Sequence, residues 1–109
     1  MQRLLTGFEL MILLAVLRVD EEAYGVRIAE EIERTGRRRV LMGAVYAALG
    51  RLERNGLASS SVRDPTPERG GRAKRFFRVT PRGVRAVKQT QDALVALWTD
   101  LPQLKERRT

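Results

Sequence analysis

Residues 40–57 constrain the fold of this chain more than any other stretch, because their pattern is that of one short amphipathic helix. Val45, Leu49 and Leu52 recur at the spacing of a buried helical face. A glycine at position 56 follows where such a helix would end. The opposite face carries small residues in its middle, with arginines and a tyrosine beside them: Gly43, Tyr46, Ala47, Gly50, Arg51 and Arg54.

This face suits close approach to an anionic partner. Its glycines weaken the helix, since each costs roughly 1 kcal/mol relative to alanine in a helix interior. They are open to two interpretations: neutral surface positions, or gaps that let a bulky partner come near the backbone.

Positive charge is concentrated in the middle of the chain. The 109 residues carry 21 Lys and Arg against 13 Asp and Glu, a net charge of +8. Residues 37–88 hold fourteen basic and three acidic side chains, whereas residues 1–36 hold four and seven. A localised positive field attracts polyanions, of which nucleic acid is the commonest. The alternatives are a solubilising role or an anionic membrane surface.

The residue types argue against catalysis. The chain has no cysteine and no histidine, and it lacks a glycine-rich phosphate-binding loop. The residue types that are present do not assemble a nucleophile, a base and an orienting group. We therefore expect no enzyme activity, no cofactor and no metal site. The absence of cysteine fits a reducing cytoplasm.

Two helices are predicted before residue 40. Thr6 and Glu9 have the spacing of a capping box, which predicts a helix over residues 7–18. This helix is apolar nearly all round and too short to span a bilayer, so we expect no membrane segment. A second helix is predicted over residues 23–35, with its glutamates on a solvated face. The link to the helix of residues 40–57 contains Arg37, Arg38 and Arg39, followed by a candidate short strand at residues 40–41. Two helices joined by a tight turn, the second with an apolar inner face and a basic outer face, favour a helix-turn-helix.

After residue 56 the pattern changes to that of a hairpin. Residues 57–62 and 74–79 are strand-like, and the segment RDPTPERGGRA between them is rich in Pro, Gly and Arg. A hairpin with a basic loop, directly after a recognition-type helix, describes a wing whose arginines lie along phosphates or enter a minor groove. The alternative is a solvated loop.

The last helix is predicted to begin at Thr80 and Pro81. Six residues then recur at alternating intervals of three and four, as in a coiled-coil seam: Val84, Val87, Gln91, Leu94, Trp98 and Leu101. In a chain of this length, such a seam is expected to meet a second subunit. We therefore divide the chain into a DNA-binding domain, residues 1–80, and a C-terminal dimerisation helix with a frayed tail, residues 81–109.

Four segments of the chain together resemble the winged-helix domain of PadR-like transcriptional regulators. They are TGFELMILLAVL, EEAYGVRIAEEI, GAVYAALGRLERNGL and RGGRAKRFFRVTPRGVRAV. The resemblance implies a mainly α fold with a small β-hairpin, that is, a winged helix-turn-helix plus a C-terminal dimerisation helix. It also implies a cytoplasmic, nucleoid-associated bacterial homodimer that binds operator DNA, usually as a repressor. The third helix would enter the major groove, the wing would lie by the minor groove, and the first and last helices would build the dimer.

Two residues depart from the family pattern. Leu41 stands where the family usually has a serine that caps the third helix, and a lost cap typically costs about 1 kcal/mol. Gly50 stands where an acidic residue is common, which should favour nonspecific affinity for DNA.

The site prediction covers two surfaces. The predicted contacts with double-stranded DNA are Arg37, Arg38, Arg39, Met42, Gly43, Tyr46, Ala47, Arg51, Arg54, Arg69, Arg72 and Lys74. The predicted dimer contacts are Leu10, Leu13, Leu14, Val87, Gln91, Leu94, Trp98 and Leu101. Trp98 has a second interpretation, in which two copies sandwich a small aromatic effector across the dimer. The rival functions are an RNA-binding or ribosome-associated protein, and an interaction module whose heptad helix meets a different chain.

Overall fold

The computed structural model describes residues 3–36, 39–63 and 73–105. These residues form helices α1 to α4 and a two-stranded antiparallel sheet. The elements follow in the order α1 (Gly7–Val19), α2 (Gly25–Gly36), α3 (Met42–Arg54), β1 (Ala58–Arg63), β2 (Lys74–Val79) and α4 (Pro81–Trp98). Short 3₁₀ turns lie at Asp20–Glu22 and Pro102–Leu104. The mainly α fold with a small β-hairpin is confirmed.

Side-chain caps fix the start of two helices. At α1, the Thr6 hydroxyl accepts from the Glu9 N–H at 3.1 Å, and the Glu9 carboxylate accepts from the Thr6 N–H at 2.9 Å, so the predicted capping box is present. At α4, the Thr80 hydroxyl accepts from the Gly83 N–H at 3.0 Å. At α3 the N-cap is Leu41, whose side chain makes no capping hydrogen bond.

The core lies between α1, α2, α3 and the inner side of the hairpin. Its largest fully buried side chains are Ile12, Leu13, Ile28, Val45, Leu49 and Leu52. Full burial of such a side chain contributes about 1.5–3 kcal/mol of hydrophobic free energy. The predicted inner stripe of α3 therefore faces the core, and the opposite side of this helix faces outward.

The turn before α2 belongs to the sheet, and this corrects the predicted start of the helix. Ala23 accepts a hydrogen bond from the Phe77 N–H at 2.8 Å, and Tyr24 forms an antiparallel bridge with Phe76. Helix α2 therefore begins at Gly25 rather than at position 23. The hairpin is bonded directly to the turn between the first two helices.

Two other predicted elements differ from the structure. Val40 and Leu41 belong to no strand. They are the extended approach to α3, and the Val40 N–H donates to the Glu33 carboxylate at 2.8 Å. Helix α4 ends at Trp98, so Leu101 lies beyond the helix and the predicted seam is shorter than its heptad pattern.

Glu31 is buried, which corrects the predicted solvated face of α2. Its carboxylate accepts from Arg34 Nη2 at 2.6 Å and from Arg27 Nη1 at 3.3 Å. The hydrogen bond from Arg34 holds the pKa of Glu31 below its ordinary value, with a smaller contribution from Arg27. This glutamate thus stabilises α2 itself and is not a free surface charge.

Candidate nucleic-acid interface

The outer face of α3 is exposed and nearly free of bulk. Gly43 and Ala47 are both exposed, and no heavy atom lies within 4 Å of the position that a Cβ on Gly43 would take. Arg54 Nη1 lies 3.4 Å from the corresponding position on Gly50, so the arginine side chain folds back over this glycine. The face is therefore shallow in the middle and carries a guanidinium group over its C-terminal half.

Tyr46 lies at the edge of this face, against the start of α2. Its hydroxyl and ring occupy the space that a Cβ on Gly25 would take, with Tyr46 Cε1 at 2.8 Å from that position. The side chain is 51% exposed. The first N–H groups of a helix have no intrahelical partners, and the helix dipole makes that end attractive to anions. The phenol and the start of α2 thus form a candidate phosphate contact.

Two other predicted contacts on α3 are less free than the sequence indicates. Met42 is half-buried and packs against the core. Arg51 Nε lies 3.9 Å from a carboxylate oxygen of Glu9, which is buried at the start of α1. An ion pair of this length with a half-exposed arginine is weak, so it guides the Arg51 side chain without immobilising it.

Two cations at the base of the wing are held over a pair of aromatic rings. The rings of Tyr24 and Phe76 meet edge to face with centroids 5.5 Å apart. Lys74 Nζ lies 4.0 Å from the Tyr24 ring centroid, and Arg63 Cζ lies 3.9 Å from that of Phe76. Arg63 and Lys74 are also paired in the sheet register. Lys74 is among the predicted DNA contacts. Arg63 is not, because its position beside Lys74 depends on an aromatic ring from the opposite strand.

The remaining predicted arginines divide into two groups. Arg39 is exposed, two residues before the N-cap of α3. The other four lie outside the described residues: Arg37, Arg38, Arg69 and Arg72.

The predicted dimer surface is exposed along α4 and one side of α1. Helix α4 turns Gly83, Ala86 and Thr90 inward, and the buried Thr90 hydroxyl accepts a hydrogen bond from the Leu5 N–H at 3.1 Å. The exposed predicted contacts are Leu14, Gln91, Leu94, Trp98 and Leu101, while Leu10 and Val87 are half-buried. Leu13 corrects the prediction, because its side chain is 0% exposed and belongs to the chain's own core.

Two general properties of the described residues bear on function. None of their helices combines the length and the apolar character that a membrane crossing requires. In the same part of the chain, no three His, Cys, Asp or Glu side chains are grouped so that they could hold a metal ion.

The helical core, the hairpin and the bare outer face of α3 define a winged-helix protein. Residues 13–89 match the model of the PadR-like family of transcriptional regulators. The transcriptional regulator Rv3488 of Mycobacterium tuberculosis is 38% identical over 78 residues, which are 72% of this chain and 68% of that protein. The chain belongs to the PadR-like family of transcriptional regulators.

Solved structures share this fold. A PadR-like transcriptional regulator from Bacillus cereus superposes with a TM-score of 0.72 at 19% identity, over 93% of each chain. A PadR family transcriptional regulator from Eggerthella lenta gives a TM-score of 0.71 at 22% identity, over 94% of this chain and 85% of that one. The winged-helix prediction is confirmed, as is the prediction of a DNA-binding transcriptional regulator rather than an enzyme.

Proposed function

We propose that this protein represses transcription as a homodimer on operator DNA, with α3 in the major groove and the wing near the minor groove. The observation that carries the proposal is the outer face of α3, where Gly43 and Ala47 leave the backbone accessible and Arg54 supplies a cation. A major groove admits a helix of this kind, and the missing side chains let the helix come close to the base edges.

The phosphate contacts surround this face. Arg54 lies along it, and Tyr46 lies beside the start of α2. At the base of the wing, Arg63 and Lys74 are held over aromatic rings. These contacts would position α3 on the duplex, since phosphate contacts fix register and orientation.

The homodimer is supported by the apolar surface that one copy leaves open. Leu14 on α1 and Leu94 and Trp98 on α4 are all exposed. Exposed apolar side chains on two helices are typical of an interaction site, and a second copy would cover them with the same residues. A two-fold dimer would then present two α3 helices to successive major grooves, at a spacing of about 34 Å. In this proposal, residues 1–80 read the operator and residues 81–109 pair the subunits, at the bacterial nucleoid.

A small aromatic effector is the second part of the proposal. Trp98 is 63% exposed in a single copy, so its indole is available to fill the seam or to stack on a flat ligand. Quenching of its fluorescence by planar aromatic compounds would support a ligand-binding role for Trp98. Unchanged emission would support the interpretation in which Trp98 only packs in the dimer seam.

The experiment that tests DNA binding is a salt titration of wild-type protein and Arg54→Ala. We expect the wild-type affinity for duplex DNA to fall steeply with salt. Removal of one phosphate contact should reduce the log–log slope by about 0.9. The thermal midpoint should not change, because the Arg54 side chain is exposed and lies outside the core.

Lys105→Ala is the matched control, since it removes one exposed positive charge beyond the end of α4. It should leave the slope unchanged. Salt-independent binding, or equal displacement of duplex DNA by structured RNA, would reject the proposal in favour of a different partner. A fall in the thermal midpoint of Arg54→Ala would show that this arginine belongs to the fold.

Gly43→Leu should change stability and affinity in opposite directions. The position is in the first turn of α3, exposed and surrounded by open space, so leucine removes part of the helix penalty of glycine, at most about 0.8 kcal/mol. The thermal midpoint should rise by a few degrees. The new side chain would hold α3 away from the groove, so operator affinity should fall at least tenfold, with Gly43→Ala in between. Thermal denaturation and fluorescence anisotropy measure the two effects, and unchanged affinity would contradict close approach at this position.

A further inference from the structure

The N-terminal half of α3 offers a major groove almost no hydrogen-bonding side chain. Its exposed residues up to Ala47 are Leu41, Gly43, Ala44, Tyr46 and Ala47. Among these, the tyrosine hydroxyl lies against Gly25 of α2, at the edge of the face. The guanidinium groups of this helix belong to its last turn. Base edges beneath the start of α3 therefore meet apolar side chains and backbone.

Leu41 is the most prominent of these apolar groups. Its side chain is 79% exposed, the largest exposure of any large apolar side chain in the described residues. It also occupies the N-cap position, where it makes no side-chain hydrogen bond and where Ser, Thr, Asp or Asn would stabilise the helix. Neither core packing nor helix capping accounts for a leucine here.

The residues on both sides hold Leu41 in place. Val40 and Met42 are partly buried and pack against the core, and the Val40 N–H is fixed by the Glu33 carboxylate. Leu41 itself is not part of that core. Its side chain is therefore an apolar projection from a well-anchored backbone, which is the property that a specific contact requires.

The apolar feature of the major groove is the C5-methyl group of thymine. We infer that the start of α3 reads thymine methyl groups, with Leu41 as the specificity-determining contact and Ala44 and Ala47 as smaller neighbours. The inference rests on the proposed DNA-binding function and specifies what that function recognises. Arg39 and Arg54, which lie before and after this apolar surface, would hold the duplex against it through its phosphates.

The test uses the full chain and duplex DNA in which only the methyl groups are changed. Duplexes are first selected from a random-sequence pool with the wild-type protein. The selected duplex is then made with thymine and with deoxyuridine, which lacks the C5-methyl group. We expect wild-type affinity to fall about fourfold for each contacted methyl group that is removed. Substitution at single thymines then locates the contact.

Leu41→Ser separates this contact from general effects of deoxyuridine. Serine is a good N-cap, so the variant should fold at least as stably as the wild type. When only the thymine opposite Leu41 is replaced by deoxyuridine, the affinity of this variant should change by less than twofold. Val62→Ser, which changes another exposed apolar residue on β1, is the matched control and should keep the wild-type difference.

The outcomes distinguish this inference from the function on which it rests. Equal wild-type affinity for the two duplexes would overturn thymine recognition while leaving DNA binding intact. A Leu41→Ser variant that is as sensitive to deoxyuridine as the wild type would overturn the role of Leu41. Failure to select any duplex would overturn the proposed function together with the inference.

Discussion

Trp98→Asp is expected to convert the proposed homodimer into a monomer and to weaken the proposed operator binding by a factor on the order of 10². Trp98 is 63% exposed in a single copy, so aspartate would cost the isolated subunit little. In the dimer, the same substitution would place an unpaired carboxylate in an apolar seam, which is strongly unfavourable. A monomer presents a single α3, so it loses the additional affinity that a dimer obtains by binding two half-sites at once. Sedimentation equilibrium and fluorescence anisotropy would measure the two effects.

Ala96→Asp is the control for this substitution. Ala96 is exposed and lies two residues before Trp98, on the opposite side of α4 from the seam. It should change neither the molecular mass in solution nor the operator affinity. A Trp98→Asp protein that remains dimeric would place the interface elsewhere. A wild-type protein that is monomeric would favour the alternative in which the heptad helix meets a different chain.

Gly83→Ala is expected to lower the free energy of unfolding by about 3 kcal/mol, the upper part of the range for overpacked positions. A Cβ on Gly83 would overlap the Leu57 carbonyl oxygen and lie 2.7 Å from Val79 Cγ1. The Leu57 carbonyl cannot easily move, because it accepts a hydrogen bond from the Thr80 N–H at 3.1 Å. The substitution therefore separates α4 from the hairpin. Chemical denaturation would measure the loss, with a fall in thermal midpoint of more than about 10 °C.

Gly7→Ala provides the comparison, because no heavy atom lies within 4 Å of the Cβ position in the first turn of α1. This variant should be as stable as the wild type or slightly more stable. If Gly83→Ala also matched the wild type, α4 would not be seated on the backbone at Leu57 as described.

The parts of the fold that could be predicted are those with a local signal. The stripe of Val45, Leu49 and Leu52 identified the buried side of α3, and the Thr6–Glu9 spacing identified the start of α1. The sequence did not show in the same way that Leu13 is buried in the core while Leu14 is exposed. Because α1 is apolar nearly all round, its pattern does not distinguish the side that meets the core from the side that is open.

Contacts between residues far apart in the sequence account for the other differences between the predicted and the observed structure. Ala23 and Tyr24 continue the apolar pattern of α2, but their partners are in β2, far along the chain. The ion pair of Arg51 with Glu9 likewise depends on how α3 packs on α1.

Glu31 is a different case, because the sequence contained a usable signal. Arg27 and Arg34 lie four residues before it and three residues after it, which places both cations on the same side of α2. A glutamate flanked in this way can be buried with its charge satisfied. For the residues proposed to contact DNA, the helical pattern predicted which side chains point outward, whereas their contacts remain predictions.

The short segment from Ala23 to Gly25 connects the hairpin and α3, the two parts of the molecule that are proposed to contact DNA. Ala23 binds the hairpin through Phe77, and Gly25 accommodates the Tyr46 ring of α3. The described strands of the hairpin and α3 are consequently held in one relative orientation. In the proposed homodimer, the fit of the two α3 helices to the duplex would therefore depend on how the two subunits are placed relative to each other.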